Sequence, residues 1–451
     1  MTRTGRAGQT SWAAAAIGAL RPAAISARLL SVVVMNVSFL APSHPRPLIH
    51  VNIPLTAGGI KFDIRLSTKF LSKQEEQMLD IIASPGTSPP GGKPARAREP
   101  IIDADVHPWV NGDIAGLKNY LSRSWWEHFD GRHVLPNQWL RPPLARASSN
   151  RIDAMPPSGG EPGSDALFMK EEHLDKHNIA HAVLSSIQAG KLAALPNAGE
   201  ALALARAFNE FFYSEFLGVD PRYKLAMVVA AHDPAASAAE IRDFGRKPGV
   251  VAVFMPLLNI MMGNRHYYPI FQAAEEMGLP MLIHPTGTEG GFPTSVHFAG
   301  GTPSTYIERH TAFPQIGISA INSLIFEGVF LRFPKLKLLA AEFGFSWLPH
   351  FLWRMDQNWH QFRKEVPWVK NLPSETVLQH VRFTSQPIEE PEKPEYLMQI
   401  LDMIHAEQTL LFSTDYPHWD NDFPQHTLTR LSPEMRRRIF HDNAAELFRL
   451  S

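Results

Sequence analysis

From position 100 onward, short apolar runs alternate with longer stretches in which apolar residues recur every three to four positions. The runs at 100–106, 181–187, 224–230, 250–255, 279–284, 336–342, 380–385 and 409–414 predict strands. An uninterrupted apolar run bounded by turn residues is what a strand covered on both faces requires. The intervening stretches 199–218, 234–247, 266–278, 314–331 and 346–364 carry the helical period. Strands alternating with helices imply parallel βαβ units. Eight of them in about 350 residues imply an α/β chain folded as a (β/α)8 TIM barrel. A doubly wound open sheet is the alternative. It would usually carry a glycine-rich phosphate loop, and no G-x-G-x-x-G follows an early strand here. Residues 107–180, between the first two predicted strands, are rich in Trp, Pro and Arg and read as an insertion over the barrel mouth.

The pattern breaks before position 100. No Asp or Glu precedes Asp63, while Arg3, Arg6, Arg21 and Arg28 are spread through Ala/Ser-rich sequence. The apolar run at 29–40 is shorter than the ~20 residues a membrane span needs. It reads as part of an organelle transit segment, as a secretory apolar region, or as sequence upstream of a true start at Met35 or Met78. The Pro/Gly/Ser-rich stretch 84–99 reads as a flexible linker. The expected division is therefore a poorly ordered N-terminal extension with its linker at 1–99, dispensable for folding, and a barrel domain at 100–451.

Composition narrows the function. Of 451 residues, 44% are hydrophobic and 19% charged, which excludes a largely disordered chain. Lys and Arg total 43 against 44 Asp and Glu, so no global charge draws the chain to nucleic acid or to an anionic membrane. Cysteine is absent, which removes disulfides, thiolate nucleophiles and Cys-ligated metals. The 20 histidines become the leading metal ligands. No G-x-S-x-G is present, which disfavours a serine hydrolase. The expected location is the cytoplasm, the N-terminal segment leaving targeting open.

In such a barrel the chemistry sits at the C-terminal ends of strands, and three of the runs end in metal-binding residue types. In Ile101-Ile-Asp-Ala-Asp-Val-His107, Asp105 and His107 are two apart and share a face. His284 closes Met281-Leu-Ile-His, and a proline follows. Asp415 ends Leu410-Leu-Phe-Ser-Thr-Asp, with His418 in the loop beyond. Each has an ordinary structural explanation when taken alone. Together, Asp105, His107, His284 and Asp415 converge on one point of a closed barrel, and an Asp/His set suits Zn²⁺, Mn²⁺ or Fe²⁺. His232, after the third strand, and Trp347 and Arg354, after the sixth, are candidates for substrate contact, with His418. Arg354 would pair with a substrate carboxylate, or structurally with Asp356 or Glu327. Trp109, Phe254, Tyr306, Tyr416 and Trp419 also fall near strand ends, where they would suit a flat ring. His173 and His177 share one helical face, but Leu174 stands where a metalloprotease needs Glu. They read as a solvated helix.

Asp-Ala-Asp-Val-His at 103–107, Ile-His-Pro at 283–285, the stretch 324–339 and Phe-Ser-Thr-Asp-Tyr-Pro-His at 412–418 resemble the amidohydrolase superfamily over about 100–450. The resemblance is greatest to the branch of aminocarboxymuconate-semialdehyde decarboxylase and the resorcylate decarboxylases. It implies metal ligation by Asp105, His107, His284 and Asp415. Two departures stand out. The family commonly has a histidine at the end of strand six, where this chain has Glu342, which could still act as acid or base if burial raised its pKa. The fourth run, Val250 to Met255, offers no bridging Lys or Glu, so one metal is expected, with zinc foremost. Members of the branch tend to dimerise, so a homodimer built partly from 107–180 is expected.

The first functional expectation is a mononuclear metal-dependent hydrolase of a small cyclic or aromatic carboxylated substrate. Metal-bound water would be the nucleophile, with its pKa lowered toward ~7, and Asp415 would take its proton. The alternative is non-oxidative decarboxylation of an aromatic or muconate-like acid at the same site. A second alternative is a binding barrel without catalysis.

Overall fold

The computed structural model describes residues 99–129, 132, 135–136 and 149–450, and the backbone of four short strands between positions 50 and 65. These residues fall into two units, one within 1–95 and one within 96–451. In the first, His50–Asn52 pairs antiparallel with Asp63–Arg65, and Leu55–Thr56 with Gly59–Ile60. The apolar run at 29–40 and nearly all of the linker at 84–99 lie outside the described residues.

The second unit holds eight parallel strands joined in chain order: β1 Ile101–Val106, β2 Ile179–Leu184, β3 Tyr223–Val228, β4 Val250–Phe254, β5 Met281–Ile283, β6 Leu338–Ala340, β7 Val381–Thr384 and β8 Leu410–Leu411. The β4 strand is buried at every position, the burial its continuous apolar sequence demands, and β1 is equally buried although Asp103 and Asp105 interrupt its apolar run. The sheet closes beyond the end of β8. Ala104 N–H donates to Phe412 O (3.0 Å), His107 N–H to Tyr416 O (2.8 Å) and Asp415 N–H to Asp105 O (3.2 Å). This is the expected (β/α)8 barrel.

Helices α1 Ala198–Phe212, α2 Pro234–Phe244, α3 Tyr268–Met277, α4 Tyr306–Thr311, α5 Phe313–Phe326, α6 Leu348–Phe362, α7 Pro373–His380, α8 Pro394–Met403 and α9 Asn443–Phe448 cover the strands. Local chemistry sets their ends. The Asn197 side chain caps α1 by accepting from Gly199 N–H (2.9 Å) and Glu200 N–H (3.3 Å), an arrangement worth about 1 kcal/mol. Asp233 caps α2 and Pro234 occupies its first turn. Gly278 ends α3 in the left-handed conformation. On α1, Ala201, Leu204, Ala205, Phe208 and Phe212 recur at three- and four-residue spacing, and all are buried in the core.

The described residues between β1 and β2 form the expected insertion. Part of it lies close to the barrel mouth: Trp109 N–H donates to Gly163 O (3.0 Å), and a Cβ at Gly163 would come within 2.5 Å of His107 O. Only glycine permits that approach, at φ +80°. A second excursion, 285–337 between β5 and β6, carries α4 and α5. Among the described residues no helix is long and apolar enough to cross a membrane.

Candidate metal centre

The pairing of β1 with β2 steps from Asp103↔Ala182 to Val106↔Leu184, three residues against two. This irregularity sits where the chain turns its polar side chains toward the mouth. Asp105, His107, His284 and Asp415 come together there, all buried, each offering a ligand atom within 4.8 Å of the others. His107 Nδ1 faces the Ser185 carbonyl at 2.6 Å, so the proton sits on Nδ1 and Nε2 presents its lone pair. That lone pair meets Asp415 Oδ1 at 2.6 Å. His284 repeats the arrangement: Nδ1 faces Pro285 O, and Nε2 lies 3.2 Å from Asp105 and 3.0 Å from Glu342 with no directed hydrogen bond. Each Nε2 faces buried carboxylates, and such a pairing needs a positive charge, either a proton on the ring or a cation between them. Backbone carbonyls fixing the tautomer are the usual support for ligating histidines. The four residues thus fit a divalent cation.

The titration shifts express the same excess of negative charge. Burial alone would lower the His284 pKa, but Asp105 and Glu342 raise it well above its ordinary value. Burial, and then the Glu342 charge, push the Asp415 carboxyl well up. Glu342 itself is held down against its burial by His284 beside it. Asp415 (φ 63°) and Glu342 (φ 59°) both adopt the left-handed backbone that side chains other than glycine rarely take. Strain of that kind persists where the surroundings over-determine it. Around Asp415, Asp103 accepts from Thr414 N–H (2.9 Å), Thr414 Oγ1 (2.6 Å) and Asp105 N–H (3.4 Å), and His173 Nε2 lies 2.8 Å from it. His173 stacks on Tyr416, with ring centroids 4.6 Å apart.

His418 also joins the cluster, with Nδ1 2.8 Å from Asp415 Oδ1. Trp347 donates its indole N–H to Phe343 O (2.9 Å) and Gly344 O (3.1 Å), closing the loop after β6. His232 lies beside the Ala193 and Leu195 backbone, and Arg354 is exposed on α6. No hydrogen bond or ion pair among the described residues joins either to the cluster. Asp356 accepts from Ser374 N–H rather than pairing with Arg354. His173 and His177 are buried, which corrects the solvated reading: the helical face they share packs against β1 and the β8 loop.

Four polar partners were not anticipated. Ser185, after β2, donates to Asp105. Gln386, after β7, donates to Asp415 Oδ2 (3.2 Å) and Asp420 Oδ2 (3.0 Å). His310 on α4 and Asp420 face each other at 3.2 Å.

Asp422, two residues on, supplies a pH-dependent test of this wall. Burial and the nearby Asp420 push its pKa up to about 7. A carboxyl raised above its unfolded value binds protons better when folded, so its destabilisation grows as pH rises from about 4 to 7 and is constant above. Asp422→Asn should raise the melting temperature by a few degrees at pH 8 and leave it nearly unchanged at pH 4. A shift of equal size at both pH values would contradict this.

Comparison with known proteins agrees with the geometry. The amidohydrolase family profile matches residues 102–450. The gamma-resorcylate decarboxylase of Rhizobium sp. (strain MTP-10005) is 22% identical over 289 residues, covering 61% of this chain and 85% of that protein. The 5-carboxyvanillate decarboxylase LigW of Sphingomonas paucimobilis superposes with a TM-score of 0.56 at 19% identity, covering 78% of this chain and 99% of that one. A dihydroxybenzoic acid decarboxylase from Polaromonas sp. JS666, solved with manganese and the inhibitor 2-nitroresorcinol, gives 0.55 at 18% identity, covering 78% and 97%. These relatives overturn the first expectation: hydrolysis gives way to the carboxy-lyase alternative. The Polaromonas structure holds manganese, and nothing among these relatives singles out zinc. With the profile spanning most of its length and its relatives in the decarboxylase-like branch, the chain belongs to the amidohydrolase family.

Proposed function

We propose that the chain is a metal-dependent, non-oxidative decarboxylase of a hydroxylated aromatic carboxylic acid. The observation that carries this reading is the set Asp105, His107, His284 and Asp415, gathered at the barrel mouth of a chain whose relatives are decarboxylases. The four would hold one divalent cation. The donor set is half carboxylate and half imidazole, which suits manganese as well as zinc. When bound, the cation would supply Lewis-acid polarisation and orientation of a substrate oxygen.

The remaining work falls to the side chains. Asp415 is the base: its buried carboxylate accepts the proton of the ring hydroxyl next to the carboxylate and returns it later. Ser185 and the Ser185 and Pro285 carbonyls keep Asp105, His107 and His284 aimed inward. Glu342 lies in the same cluster, its carboxylate within 4.8 Å of His107, Asp415 and His418, where the ring carbon must receive a proton as its bond to the carboxylate breaks. Burial of these groups excludes water and strengthens each charge interaction.

The test is incubation of the manganese-loaded enzyme with a panel of hydroxybenzoic acids that carry the hydroxyl beside or away from the carboxylate. Stoichiometric CO₂ from the adjacent-hydroxyl acids alone is expected. No CO₂ from any of them, with hydrolysis of cyclic amides or esters instead, would refute the reading.

A further inference from the structure

Decarboxylation of an arene needs a proton at the carbon that loses CO₂. The family's strand-six histidine would be the obvious donor, and Glu342 stands in its place. The structure supplies another imidazole from a different element. His310, on α4 in the excursion between β5 and β6, brings Nε2 to 3.6 Å from Glu342 Oε1 and 3.2 Å from Asp420 Oδ2. We propose that His310 is the acid that protonates the substrate carbon, with Glu342 and Asp420 as its counter-carboxylates. This rests on the decarboxylase reading above.

Three observations carry the assignment. First, α4 is tied to the metal-site loop. Arg309, adjacent to His310, donates to the buried Glu289 through Nε (3.1 Å) and Nη2 (2.8 Å). Glu289 in turn accepts from Thr286 N–H and Gly287 N–H, two and three residues past His284. This buried, doubly hydrogen-bonded ion pair holds the helix in register with the loop after His284. Second, His310 borders both the buried site and the surface. Tyr306, Phe313 and Trp419 pack around its ring with centroids 5.6, 4.8 and 5.9 Å away, and Trp419 is 53% exposed. A donor must regain its proton from solvent, and the His310 side chain is 18% exposed against 7% for Glu342. Third, the facing groups keep the ring charged. Burial would lower its pKa, but Asp420 and Glu342 outweigh that and bring it to about 10. The proton is therefore present at neutral pH.

The step balances. His310 Nε2–H donates to the ring carbon, the bond from that carbon to the carboxylate breaks, its electron pair returns to the ring, and CO₂ leaves. Neutral His310 then takes a proton from water. The net change is one carboxylate and one proton consumed for one arene and one CO₂.

His310→Ala should lower kcat by ~100-fold or more, within the range for a general acid. KM should change little and metal content not at all. Exogenous imidazole should restore turnover in proportion to its concentration, a recovery that a purely structural role would not give. His310→Gln, which keeps the bulk but carries no transferable proton, should be equally slow. Wild-type turnover in His310→Gln, or loss in His310→Ala without imidazole rescue at full metal occupancy, would overturn the proposal. If the wild-type enzyme releases no CO₂ from any panel acid, it is the decarboxylase reading that has failed, and the two failures are distinct.

Discussion

His284→Ala should strip the metal and reduce turnover to background. The His284 imidazole is held by Pro285 O on one side and offers its Nε2 lone pair on the other, between Asp105 and Glu342. Its removal leaves two buried carboxylates facing each other with no cation or imidazole to separate them. Changing a residue that merely orients a ligand typically costs 10–100-fold in metal affinity, so losing the ligand itself should cost more than ~100-fold. Elemental analysis after dialysis reads this directly. Full occupancy by one metal, or two metals per chain in the wild type, would contradict the four-residue centre. The fold should survive, because the barrel closes through backbone bonds between β1 and the β8 loop that do not involve this side chain.

Asp415→Asn separates metal binding from proton transfer. Asparagine keeps the shape and an oxygen ligand but removes the basic charge. Metal should largely remain, while kcat should fall by at least ~100-fold, the lower part of the range for acid–base catalysis. Glu342→Gln is the control, expected to be milder. A larger loss there, with Asp415→Asn still active, would move the proton-handling role to the β6 wall.

What the sequence made legible follows from physics that acts locally. Most positions of the barrel strands are buried, so their apolar runs are visible without any partner even where Asp103, Asp105, His181, Lys224 or Arg382 interrupts them. Asp105, His107, His284 and Asp415 each follow such a run directly, and the barrel topology alone makes their ends converge. His310 and Asp420 reach the site from a six-residue helix and a loop, where no period or strand end marks them. Ser185 and Gln386 also follow strands, but hydroxyl and amide side chains at strand ends are too common to single out. His173 looked solvated because its partners, Asp103 and Thr414, are 70 and 241 residues away. Hydrolysis and decarboxylation need the same ligands, so the sequence pattern could not choose between them; the relatives did.

The most direct measurement is turnover of a hydroxybenzoic acid in D₂O by the manganese-loaded enzyme, with CO₂ and the arene product quantified together. Decarboxylation at this centre predicts one CO₂ per product, with one deuterium placed at the carbon that carried the carboxylate. Product without CO₂, or CO₂ at equal rates from the metal-free His284→Ala variant, would contradict it.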